Sequence, residues 1–216
     1  LETSEWYSKY YLHASNSDHW DNESDSDSVR IDKICDGFSR KDFEENKESV
    51  WFDLGVESIC KGDESFLEIG CGMGRIAKWV SPFVGRYVGM DISNSMVEAA
   101  IKYNSEIGTK NCKFIQGGNL SALPKEERFF DIIFSELVAI HLHKSEVYDY
   151  INRSYEILNS GGRFFFQLPY VGYPNSISLK DLYNNTVIEK FESFKAHEPS
   201  NDPDNPYLVW TIVLGK

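Results

Sequence analysis

The chain has 216 residues, enough for one substantial α/β domain with a buried core and tight for two. Its formal charge of −12 repels a phosphate backbone, so nucleic acid is not the default partner. Hydrophobic residues at 41% and charged residues at 26% fit a soluble globular protein, and no run of about 18 apolar residues exists to span a membrane.

The first segment, Leu1 to Ser15, is aromatic and polar without an apolar stretch, so it does not read as a secretory signal. Leu1 is not an initiator methionine, which leaves room for a piece trimmed upstream. Cys35, Cys60, Cys71 and Cys112 show no C-x-x-C spacing, which argues against a zinc site or disulfide framework and for a reducing cytoplasm.

Residues 1–64 mix aromatics such as Tyr7, Tyr10, Tyr11 and Trp20 with acids and serines. This segment is expected to be a cap: either a lid over a ligand or a helical packing layer. Within it, Asn16–Ser28 is polar without apolar period and reads as a loop, and Asp42–Cys60 has helical spacing. From residue 65 to 216 short apolar runs alternate with amphipathic ones, the pattern of βα units around a parallel sheet. Strands are predicted at Phe66–Ile69, Tyr87–Met90, Lys113–Gln116, Asp131–Ser135 and Arg163–Leu168. The helices between them are Arg75–Val80, Ser95–Ile107 and about Ser145–Leu158. Ser93 or Asn94 should cap the second, and Gly161-Gly162 should close the third. A helix near Ser178–Asn185 follows, then strands near Val187–Ala196 and Tyr207–Leu214. The loop joining them, Glu198–Pro206, carries three prolines and suits no regular structure. Two closing strands without an intervening helix suggest an antiparallel hairpin at a sheet edge.

The most informative stretch is Phe66-Leu67-Glu68-Ile69-Gly70-Cys71-Gly72-Met73-Gly74-Arg75. A buried strand runs into three alternate glycines and a helix. Glycines suit a sharp turn pressed by a ligand, and free N–H groups at a helix start favour an anion such as a carboxylate. A plain tight turn is the alternative. Dinucleotide folds want G-x-G-x-x-G, whereas Arg75 stands at the sixth place here, which argues against a nicotinamide enzyme. Asp91, in Gly89-Met90-Asp91-Ile92, ends the next strand, where a carboxylate can accept two ribose hydroxyls or merely cap a helix.

Taken in order, LEIGCGMG, GMDIS, GGNLSALP, FFDIIFSELVAIHL and ILNSGGRFFFQLP resemble a class I, Rossmann-like S-adenosylmethionine-dependent methyltransferase, closely over about Glu64–Leu168. The resemblance implies a doubly wound, mostly parallel seven-stranded sheet with an antiparallel last strand, here behind an N-terminal helical cap. It implies S-adenosyl-L-methionine as methyl donor, S-adenosyl-L-homocysteine as product, and a small-molecule acceptor. By position, Glu68, Gly70, Cys71 and Gly72 would hold the methionine part and Asp91 the ribose, while Ile92 and Met96 would pack on adenine. Gly118, Asn119 and Leu120 sit where the family usually has G-D-A; the amide oxygen of Asn119 can still accept from the adenine amine.

The resemblance counts Ser135 with the cofactor-binding residues, and the segment from Ser135 to His143 lies where this class places substrate-facing groups, with Ile140 replacing the family's glutamine. His141 is the candidate general base, or else a residue that orders the loop. Glu136 could hold an amine, act as a base or cap, and His143 is expected at the surface. There is no D/N-P-P-Y/F sequence for exocyclic amines of bases, and no carboxylate set resembling the catechol-type metal site. A methyltransferase acting on protein or glycan, or a non-catalytic cofactor-binding protein, shares every one of these cofactor features.

Overall fold

A computed structural model of the chain describes residues 20–21, 26–34, 39–45, 60–169, 177–197 and 209–216. The lid candidates Tyr7, Tyr10 and Tyr11 and the proline loop Glu198–Pro206 lie outside them. The chain divides into two compact units, one of Asn16–Pro124, the other of Leu1–Ser15 with Lys125–Lys216.

In the first unit, helices α1 (Asp27–Ile34) and α2 (Arg40–Glu45) precede β1 (Ser65–Ile69), α3 (Arg75–Val80), β2 (Arg86–Asp91), α4 (Asn94–Ile107) and β3 (Cys112–Gln116). The polar run read as a loop to Ser28 gives way to helix two residues early. Asp27 sits in the first turn of α1, where a carboxylate suits the helix dipole, and Ile31 supplies a deeply buried anchor that the polar pattern obscures. Of the helix read over Asp42–Cys60, Asp42–Glu45 are helical as part of α2 and Cys60 is not; residues 46–59 lie outside the described set.

β1–β2 and β2–β3 pair in parallel, with Glu68 opposite Gly89 and Asp91 opposite Gln116. β1 and β2 are buried along nearly their whole length, as parallel strands covered on both faces must be. Phe66 stacks on Tyr87 with ring centroids 5.5 Å apart, and each such side chain contributes about 1.5–3 kcal/mol of burial. Beside the strands, Ile31, Phe43, Met73, Met96, Ala99 and Tyr103 form an apolar cluster on which Trp20 packs. Ser93 caps α4 as expected, its hydroxyl accepting the Met96 N–H.

The second unit holds β4 (Phe130–Ser135), α5 (Lys144–Ile157), β5 (Leu158–Pro169), α6 (Leu179–Tyr183), β6 (Ser193–His197) and β7 (Val209–Gly215). β4 and β5 are parallel; β7 runs antiparallel to both β5 and β6. The seven-stranded order is β3-β2-β1-β4-β5-β7-β6, the mostly parallel arrangement with an antiparallel last strand that the sequence implied.

Two readings need correction here. Gly161-Gly162 does not close α5: the helix ends at Ile157 and the chain passes straight into β5. The glycines lie within that strand, where the Gly161 N–H donates to the Lys216 carbonyl (2.5 Å) and the Lys216 N–H to the Gly162 carbonyl (2.9 Å). Glycine there bends a strand at a register shift against β4 rather than ending a helix. The strand read near Val187–Ala196 also begins late, because Thr186–Lys190 is a 3₁₀ turn capped by Asn185. His143 is exposed as expected, yet it has a function: with Glu146 it forms the capping box that opens α5.

Candidate functional site

The glycine loop follows β1 directly. Gly70, Gly72 and Gly74 have φ of 74°, 49° and 74°, left-handed values that an L side chain resists. The Met90 carbonyl at the end of β2 accepts the Gly70 and Cys71 N–H groups (2.7 and 3.1 Å), and the Gly74 N–H closes the turn on the Cys71 carbonyl (2.8 Å). A Cβ on Gly74 would stand 2.5 Å from Asn104 Nδ2 and 3.0 Å from the Phe114 ring, so the loop lies flush against α4 and β3.

Asp91 ties this loop to the next turn. Its Oδ2 accepts the Gly72 N–H (2.8 Å) and its Oδ1 the Ser93 N–H (3.0 Å). Burial pushes its carboxyl above the ordinary aspartate value, against the pull of these N–H donors, and the charge of Asp21 adds to the rise. The Asp91 carbonyl accepts the Gly117 N–H (2.8 Å), which brings the next loop alongside. There Ile92 lies over Gly118, 3.2 Å from where a Cβ would be. The glycine loop, the carboxylate, Ile92 and Gly118 are therefore assembled at the carboxyl ends of β1, β2 and β3, where open α/β sheets bind ligands.

Other predicted site residues have additional commitments. The Glu68 carboxylate is buried and accepts the Tyr87 phenol, so it braces β1 against β2 behind the loop. Cys71 is buried, and desolvation, then the neighbouring Asp91 and Glu68 charges, hold its thiol well above its usual range. Met96, 1% exposed, belongs to the apolar cluster and presents no open face. The Asn119 Oδ1 accepts the Ser121 N–H (2.9 Å) and hydroxyl, capping the turn that buries Leu120.

Ser135 and His141 belong to the second unit. Ser135 is buried at the carboxyl end of β4, opposite Phe166 of β5. Leu137 adopts φ 56°, unusual for a side-chain-bearing residue, and its N–H donates to Oε1 of buried Gln167 (2.9 Å). His141 ends the 3₁₀ turn Ala139–His141, its N–H donating to the Val138 carbonyl (2.9 Å).

Sequence reasoning missed three residues. Asn104 is buried and donates to the Gly74 carbonyl (3.1 Å), and a polar residue on the inner face of an amphipathic helix is the signal that could have found it. Gln167, on a strand otherwise apolar inward, is the same kind of signal. Asp21, within a run of acids and serines, offered none.

A doubly wound sheet with a glycine loop and a carboxylate closing the second strand defines a Rossmann-like, nucleoside-binding class of protein. Residues 66–162 match the family described as a methyltransferase domain. Among curated relatives, an uncharacterized methyltransferase of Bacillus subtilis, YcgJ, is 34% identical over 115 residues, 52% of this chain and 44% of that protein. A sterol 24-C-methyltransferase of Pneumocystis carinii is 28% identical over 165 residues, 75% of this chain and 37% of that one. The chain thus spans less than half the length of these relatives. Of solved structures, YcgJ superposes with TM-score 0.60 at 19% identity, covering 76% of this chain and 97% of its own. Magnesium protoporphyrin IX methyltransferase of Synechocystis, with bound S-adenosylhomocysteine, gives 0.58 at 14% identity, covering 76% and 78%.

Proposed function

We propose that this protein transfers a methyl group from S-adenosylmethionine to an oxygen or nitrogen of a small molecule, releasing S-adenosylhomocysteine. One observation carries the reading: a backbone surface kept bare by three left-handed glycines is hydrogen-bonded to a carboxylate at the end of the adjacent parallel strand. Such a cradle fits an amino acid chain joined to a ribose, because no side chain blocks the first and a carboxylate accepts the hydroxyls of the second. S-adenosylmethionine supplies an electrophilic methyl, whose bond to sulfur breaks toward sulfur as the acceptor lone pair takes the carbon.

The residues share the work as follows. Gly70, Cys71 and Gly72 receive the methionine part, with Glu68 bracing the loop from behind. Asp91 accepts the ribose hydroxyls. Ile92, Gly118 and Leu120 form the adenine wall, which Met96 supports from the core, and Asn119 faces the adenine amine. Ser135 and the segment through His141 serve the transfer, with His141 removing the acceptor's proton where one must leave. Residues 1–64 act as a cap on a catalytic domain of residues 65–216. A small acceptor is favoured over nucleic acid by the charge of −12. No helix among the described residues is long and apolar enough to cross a membrane, and we place the protein in the cytoplasm.

Two measurements test this reading. Calorimetry should detect S-adenosylhomocysteine binding, and absence of binding would refute the cofactor. Incubation with a metabolite extract and S-adenosylmethionine should yield a product heavier by one methylene in mass spectra. Cofactor binding without any such product would make the chain a binding protein and not an enzyme.

A further inference from the structure

The turn that carries Asp91 is held from outside by the N-terminal segment. The Ser95 N–H, an orphan donor at the start of α4, donates to Asp21 Oδ1 (2.9 Å). The Ser93 hydroxyl, which accepts the Met96 N–H, has its single proton within reach of the Trp20 carbonyl (3.1 Å) and Asp21 Oδ1 (3.2 Å). Trp20 itself packs on the cluster containing Met96 and Ala99 of α4. Two side chains therefore cap this helix: Ser93 locally, and Asp21 from more than seventy residues away in sequence.

The backbone N–H of this same Ser93 fixes Asp91 Oδ1. Displacing Ser93 would let one oxygen of the ribose-facing carboxylate turn, while the Gly72 N–H still held the other. We infer that Asp21 is a positioning residue for cofactor binding: it clamps the Ser93–Ser95 turn and so aims the Asp91 carboxylate at the ribose hydroxyls. This rests on the S-adenosylmethionine reading above. A carboxylate suits the task because it accepts an N–H and a hydroxyl together while lying at the positive end of a helix. The Ser95 N–H is also the chief cause of the lowered Asp21 carboxyl pKa, so the clamp is in its charged form at neutral pH.

The geometry makes a specific demand. Loss of Asp21 should weaken only that part of the affinity that passes through the ribose hydroxyls. The test is calorimetric titration of the full chain with S-adenosylhomocysteine and with its 2′,3′-dideoxy counterpart, for wild type, Asp21→Ala and Asp21→Asn. Wild type should prefer the hydroxyl-bearing ligand. Asp21→Ala should shrink that preference about three- to tenfold, the size of one indirect polar coupling. Asp21→Asn, which retains an acceptor oxygen, should restore most of it. Should Asp21→Ala melt out, Asp21→Leu, similar in size and lacking any acceptor, takes its place. Equal losses for both ligands would mean that Asp21 acts on general stability, and the inference falls alone. Wild-type preference retained in Asp21→Ala overturns it as well. Failure of wild type to bind either ligand removes the cofactor reading itself, and this inference with it.

Discussion

Asp91→Asn separates affinity from stability. In the wild type both carboxylate oxygens accept a backbone N–H, from Gly72 and Ser93. The amide keeps one such bond and turns its NH₂ toward the other N–H, donor against donor. It also presents a weaker, singly competent acceptor to the ribose. Losing a hydrogen bond to a charged group is worth about 1.5–3 kcal/mol, or about 10- to 150-fold in affinity for S-adenosylhomocysteine. Stability responds differently. The folded-state carboxyl is raised, chiefly by burial, so its contribution to stability is present at low pH and lost as pH rises through its folded value. The ionised form of the group therefore opposes folding, and a neutral amide, free of that cost, offsets the lost N–H bond. The expected result is a melting temperature within a few degrees of wild type beside a large loss of affinity. Calorimetry and thermal melting at pH 7 read the two quantities. Unchanged affinity would show that Asp91 does not meet the ribose; a collapse in melting temperature would show that its role is to hold the loop.

Three further outcomes are expected. His141→Asn should lower kcat by about 10²–10⁴-fold and remove the acidic limb of the pH–rate profile while leaving S-adenosylhomocysteine binding unchanged, whereas normal kcat would exclude a base at this position. Deleting residues 1–30 should leave a folded core that binds S-adenosylhomocysteine more weakly and transfers no methyl; outright unfolding in circular dichroism, or full activity, would refute a lid. Gly74→Ala should cost about 2–4 kcal/mol in urea unfolding, from left-handed strain plus the approach to Asn104 and Phe114, whereas Gly108→Ala, with φ 79° and nothing near its Cβ, should cost only the strain of about 1 kcal/mol.

The cofactor side of this fold was readable because its requirements fall on the backbone. Gly70, Gly72 and Gly74 announce left-handed φ, and a strand ending in Asp91 announces a carboxylate at a known height in the sheet. Elements with regular period were equally clear: the span read as Ser95–Ile107 is helical from Asn94, and its Ser93 cap follows from hydroxyl chemistry. The misreading of Gly161-Gly162 has a non-local cause. Gly161-Gly162 looks like a helix stop because glycine usually is one, but the Lys216 carbonyl and N–H hold that pair in a strand, and a contact from the far end of the chain leaves no local mark.

The same reasoning explains why the loop after β4 stays opaque to sequence. What fixes the loop after β4 is the Gln167 side chain accepting the N–H of a strained Leu137, thirty residues away and with no spacing rule behind it. On the cofactor side, the turn after β2 has a device of the same kind in Asp21, reached from a stretch of acids and serines that any solvated loop could have. Both devices are single side chains satisfying single backbone N–H groups across long sequence separations. A cofactor common to a whole family can be bound by backbone shape, which each chain must encode locally. An acceptor particular to one protein has to be recognised by side chains gathered from several segments, so its identity resides in the tertiary arrangement and not in any motif.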